Sequence, residues 1–170
     1  MNLRSFMHFT ATMDFHSSYK ILEPYATQAP AQAGSLFITY NDLTLSQKWH
    51  RVELHSILVE PSTSPTATLD EKEIRLFLLG WRKEDERPRV MIPMALNQPL
   101  STKWFKTTFS SLLSHPAYIE AGLPQSKECT PSTEGESDPP VIYTASVGKD
   151  SSVVYYRVAK GIEKPHDVPE

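Results

Sequence analysis

The run Ile74-Arg-Leu-Phe-Leu-Leu-Gly-Trp81 constrains this chain more than any other segment. In an extended strand, successive side chains point to opposite faces. Ile74, Leu76 and Leu78 therefore share one face, and Phe77, Leu79 and Trp81 share the other. Both faces need cover, so the strand sits centrally in a sheet or one of its faces meets a partner. Phe77, Leu79 and Trp81 are the candidate interface residues on that reasoning.

Around this strand the pattern predicts several others. Leu36 to Tyr40 alternates Leu36, Ile38 and Tyr40 against Phe37 and Thr39, and the turn residues Asn41 and Asp42 end it. From about Trp49 to Val59, Val52 and Leu54 oppose Arg51, Glu53 and His55, and a phase change over residues 56–59 predicts a bulge. Val90 to Met94 contains Pro93, which cannot donate to a ladder and so predicts an edge strand. Val141 to Ala145 and Ser152 to Ala159 close the series around a Gly148-Lys-Asp turn. One helix is expected, opening at Ser101 or Thr102, carrying Phe105, Phe109, Leu112 and Leu113 at helical spacing, and ending by His115-Pro116. Residues 124–140 hold prolines, Ser, Thr and acidic residues without a large apolar side chain, and read as a solvated acidic loop. The expected organisation is an arm or connector over 1–34, partly packed, a domain over 35–123 completed by strands in 141–160, and a polar tail over 161–170. Short strands, proline-punctuated turns and one inserted helix predict a mainly β, antiparallel, jelly-roll-like β-sandwich.

Composition excludes several function classes. With 17 basic and 20 acidic residues the net charge is -3, so no global positive field is available to a phosphate backbone. The single cysteine, Cys129, rules out an internal disulfide and a paired-thiolate zinc site. The first ten residues are broken by polar side chains and are not a secretory signal, and no run of eighteen apolar residues spans a membrane. A soluble intracellular protein is the expectation.

Chemistry-bearing constellations are few. In His50-Arg-Val-Glu-Leu-His55, Glu53 and His55 share a face while His50 points away, and two ligands do not fix a metal. Gly-x-Ser-x-Gly is absent, and the acidic surroundings of Cys129 disfavour a thiolate. No catalytic residue, cofactor site or metal site is expected, and the chain reads as a non-enzyme. For nucleic acid, Trp81 with Arg82, Lys83, Arg87 and Arg89 forms a candidate patch of the kind on which single-stranded RNA stacks, and Lys103 and Lys106 add two positive charges at the helix start. Glu84, Asp85 and Glu86 lie among those charges and cancel most of the local field.

The succession Leu36 to Tyr40, Trp49 to Pro61 and Glu73 to Trp81 resembles the early strands of the single jelly-roll coat proteins of small plant viruses. Ile74 to Leu79, Val90 to Met94 and Ser152 to Val158 resemble the related thirty-kilodalton movement-protein superfamily. The resemblance implies a non-enzymatic assembly subunit that self-associates, or a movement protein that carries single-stranded RNA. The residues also admit a cellular β-sandwich module that binds another protein.

Overall fold

The computed structural model describes residues 16–59, 73–125 and 139–161. The predicted acidic loop over 124–140 falls mostly outside the described residues, as do Cys129, residues 1–15 of the expected arm and most of the tail. The order of elements is α1 (Tyr19–Gln28), α2 (Ala33–Asn41), a π-helical turn (Asp42–Ser46), β1 (Arg51–Val59), β2 (Glu73–Trp81), β3 (Arg89–Ala95), α3 (Thr102–Leu113), α4 (Pro116–Glu120), β4 (Val141–Val147) and β5 (Val153–Ala159). The strands form one open sheet in the order β1-β2-β3-β4-β5. All neighbouring pairs are antiparallel except β3 and β4, which run parallel because α3 and α4 form the crossover between them.

This architecture corrects the expected sandwich. A second sheet is not what covers the two-faced strand: helices do. Leu54, Leu76, Leu78 and Met91 pack against Leu22 of α1, Leu36 of α2 and Leu43 of the π-turn. The alternate residues Ile57, Val59, Phe77, Leu79, Val90 and Ile92 pack against Trp104, Phe109 and Leu112 of α3 and Tyr118 of α4. The expectation that β2 sits centrally therefore holds, with its inner positions at 1% exposure or less from Leu76 to Leu79. Phe77 and Leu79 lie under the chain's own helices and are unavailable to a partner, and of the three candidate interface residues only Trp81 keeps partial exposure.

Three further expectations fail locally. Residues 36–40 are helical, because Leu36, Thr39 and Leu43 recur at helical spacing, a period that five alternating residues cannot distinguish from two. No bulge breaks 56–59, where β1 stays in continuous register with β2 from Arg51↔Trp81 to Val59↔Glu73. Pro93 stands in the middle strand rather than at an edge. Direct β2–β3 pairing covers only Leu78 to Gly80, and where the register would next bring Leu76 opposite Pro93, the side chain of Gln32 intervenes. Its Nε2 donates to the Pro93 carbonyl and its Oε1 accepts from the Leu76 amide, both at 2.8 Å. A side-chain amide thus bridges the Leu76 N–H and the Pro93 carbonyl where the strands do not pair directly, without replacing the N–H that proline lacks.

The predicted helix is present as α3, and its start is set as expected, by Ser101 Oγ accepting from the Trp104 amide at 3.1 Å. Arg75, only 5% exposed, ties β2 to it. The Arg75 guanidinium donates to the Trp104 carbonyl and the Thr108 hydroxyl while pairing with Glu73.

Candidate functional site

An open sheet has two edges, and this chain treats them differently. Along one edge of a strand, outward carbonyls belong to alternate residues. On β1 three successive ones are covered by side chains. Tyr25 Oη donates to Leu54 O at 2.8 Å, Ser111 Oγ donates to Leu58 O at 3.2 Å, and between them the Ser56 carbonyl lies near enough to the His115 imidazole to favour its charged form. Side chains from α1, from the α3–α4 junction and from α3 thus cover the acceptors that an added strand would use, one of the ways in which proteins protect sheet edges.

Among the described residues β5 has no such cover over its outward amides. No strand lies beyond it among the described residues. Lys160 N donates to Pro140 O at 2.8 Å in the β4–β5 register, so even-numbered residues bond to β4 and the amides of Val153, Tyr155 and Ala159 face outward. Two large apolar side chains stand on the same strand, Val154 at 44% and Tyr156 at 52% exposure. They share a sheet face with Val158, which packs on the core over α3 and α4.

The opposite face of β5 is anchored. Tyr155 Oη donates to Asp42 Oδ2 at 2.6 Å, Gln47 Nε2 donates to the same oxygen at 2.6 Å, and Trp49 Nε1 donates to Gln47 Oε1 at 2.9 Å. Burial, and then the bond to Asp42, push the Tyr155 phenol far above its ordinary range. Trp49 in turn lies against Gly80, where any Cβ would collide with its ring. The π-turn therefore connects the edge strand to the sheet centre, which holds the open edge in a defined position.

The candidate nucleic-acid residues separate into two groups. Trp81, Arg82, Lys83, Arg87 and Arg89 gather at the β2–β3 turn. There Arg82 Nε and Arg89 Nε both donate to Asp85 Oδ2, at 3.0 and 2.8 Å. The Arg82 hydrogen bond is the main cause holding the Asp85 carboxyl below its usual range, with Arg89 adding to it against the cost of burial. Arg51 stacks over Trp81 at 4.6 Å and Arg89 lies 5.5 Å from the Tyr143 ring centroid, so both aromatic faces meet the chain's own arginines. Lys83 and Arg87 remain exposed. Lys103 and Lys106 instead line a groove of about 740 Å³ with Leu58, Thr107, Ser110 and Ser111. Leu58 and Trp81 mark opposite ends of the β1–β2 hairpin, seven strand positions apart, or about 23 Å. The fold therefore does not join the two groups into one patch.

His55 and Glu53 approach each other as the alternation predicts, with His55 Nε2 3.5 Å from Glu53 Oε2, beyond a good hydrogen bond. Among the described residues no three His, Cys, Asp or Glu side chains converge on a common point. The feature that sequence reasoning missed is the open edge itself. Val154 and Tyr156 read as one face of an amphipathic strand, and their exposure depends on β5 being terminal.

A family model described as Sen15 protein matches residues 38–169. No curated protein matches the chain. The family is a cellular one, of a tRNA-splicing endonuclease subunit, and the match overturns the coat-protein and movement-protein resemblance together with the viral assembly function drawn from it. That resemblance rested on alternating strands separated by a Pro, Ser and Thr loop, a pattern that any half-buried sheet produces. No helix among the described residues is long and apolar enough to cross a membrane.

Proposed function

The chain belongs to the Sen15 protein family, and from that membership we propose that it is a non-catalytic subunit of the tRNA-splicing endonuclease which joins a partner subunit by strand addition at β5. The observation that carries this reading is the asymmetry of the sheet. The β1 edge is covered by Tyr25, His115 and Ser111, two of which donate to its outward carbonyls, whereas the β5 edge presents outward amides beside Val154 and Tyr156 among the described residues. Main-chain hydrogen bonds from an added strand supply affinity, and pockets for alternate side chains supply specificity. The cellular protein-interaction alternative survives in this form, on a single sheet rather than a sandwich.

A supporting role suits the chemistry of the described residues. The two histidines brought together, His55 and His115, lie against Phe77, and His115 uses Nδ1 to cap a helix within the fold. Positioning a partner is what a rigid edge can do without supplying a nucleophile or a base.

Co-expression with the other endonuclease subunits tests the reading. Val154→Lys with Tyr156→Lys removes about 2 kcal/mol of apolar burial from two half-exposed side chains and places charge on the edge. Co-elution on size exclusion should weaken more than tenfold while the thermal midpoint of the isolated chain barely moves. Undiminished assembly of the double variant would reject β5 as the docking edge. Cleavage of precursor tRNA by the purified chain alone would reject the non-catalytic assignment.

A further inference from the structure

His115 is held through Nδ1. That nitrogen accepts from the Ala117 amide at 3.2 Å, which makes His115 the side-chain N-cap of α4, and the ring lies near the Ser56 carbonyl on the β1 edge. Since Nδ1 accepts, the neutral ring carries its proton on Nε2. The residues that commonly cap helices, Ser, Thr, Asn and Asp, remain acceptors throughout the neutral range. A histidine does not: a proton on Nδ1 turns the acceptor into a donor facing another donor.

The surroundings offer this ring little compensation for charge. From β2, Phe77 meets it edge-on with ring centroids 5.1 Å apart. From β1, His55 lies 5.6 Å away, stacked on the same Phe77, and its buried Nε2 finds no hydrogen-bond partner. Glu53 faces His55 and is bound by Arg51. From α3, the last turn carries serines and leucines and no basic group. From α4, Tyr118 is buried, its hydroxyl donates to Pro124 O at 2.9 Å, and burial pushes its phenol up to about 12; Glu120 is exposed at the far end.

We propose that His115 is a proton-operated latch for α4: neutral, it caps the helix N-terminus beside His55 of β1 and Phe77 of β2; protonated at Nδ1, it loses the Ala117 bond and releases the helix. Burial first, and the neighbouring His55 second, lower the His115 pKa from its ordinary 6.5, against the opposing pull of the Ser56 carbonyl. The folded state thus binds fewer protons than the unfolded chain below that value. The contribution to stability is complete above about 6.5 and is lost as pH falls through the lower, folded value. Release of α4 uncovers Tyr118, at 1% exposure one of the largest buried side chains, and frees the 121–125 segment that its hydroxyl holds.

Nuclear magnetic resonance on the full-length chain between pH 5 and 8 reads the latch directly. The imidazole nitrogen shifts should show His115 as the Nε2–H tautomer at pH 7.5. Hydrogen exchange at the Ala117 amide, corrected for its intrinsic pH dependence, should accelerate about fivefold as His115 titrates, the size expected for losing one N-cap. His115→Asn keeps a capping oxygen and cannot take up the proton, so in that variant Ala117 should stay protected over the whole range. Unchanged Ala117 protection while His115 titrates overturns the latch. So does the same acceleration in His115→Asn, which would assign the effect to His55 or Glu53.

Discussion

Replacing Gln32 with leucine should destabilise the fold by about 3 kcal/mol, although the residue belongs to no strand and touches no candidate site. Gln32 is the N-cap residue of α2, and its side-chain amide stands between Leu76 and Pro93 as a substitute rung. Leu76 is 1% exposed and Pro93 is buried, so neither orphaned backbone group has ready access to water. Each buried polar group left without a partner costs roughly 1–3 kcal/mol, giving about 2–6 kcal/mol for the pair, from which the added apolar contact of leucine subtracts about 1. Equilibrium unfolding in urea should show a lowered midpoint with an unchanged slope, because the surface exposed on unfolding stays the same. Hydrogen exchange would localise the effect, with the Leu76 amide losing about two orders of magnitude of protection, since each 1.4 kcal/mol is a factor of ten. A loss under about 0.5 kcal/mol, with Leu76 still protected, would refute the reasoning and mean that β2 and β3 close directly across Pro93.

Other consequences can be checked with similar assays. Gly80→Ala should cost about 1–3 kcal/mol in urea unfolding, because the added methyl meets the Trp49 ring and that ring is held through Gln47. Asp85 has a carboxyl held below its ordinary 3.8, so the stability it contributes is complete above that value and fades as pH falls through the lower folded value; Asp85→Asn should abolish this part of the acid dependence in urea unfolding measured on the acid side of 3.8. Tyr155→Phe leaves Asp42 with its Gln47 partner, and should cost only about 1 kcal/mol while loosening β5, seen as faster amide exchange along residues 153–159.

How far the sequence carried the fold can be judged from single segments. The β2 run announced its own burial, since Phe77 and Leu79 cannot alternate with Leu76 and Leu78 in a strand that leaves either face in water. The start of α3 was legible too, because Ser101 caps it through a bond made within four residues. By contrast, residues 33–41 form a helix despite their β-branched and aromatic content, since α2 buries Leu36 and Thr39 against β3, β4 and α1, partners that lie far away in sequence or were read as connector. Pro93 argued for an edge because proline lacks a donor, and that logic fails here because Gln32 stands between β2 and β3 at this position, so no direct rung is asked of the proline.

The candidate site divides in the same way. The sequence determined that β5 alternates apolar and polar side chains, that β2 must be covered on both sides, and that the charge is too balanced for a global phosphate-binding field. Only the tertiary structure decided which strands are terminal, that the β1 acceptors are already covered, and that Val154 and Tyr156 face solvent. The physical reason is range. Alternation, capping and charge are properties of neighbours along the chain, whereas an edge is defined by the absence of a neighbour in space, and closing one takes donors such as Tyr25 and Ser111, each at least 29 residues away from the carbonyl it meets.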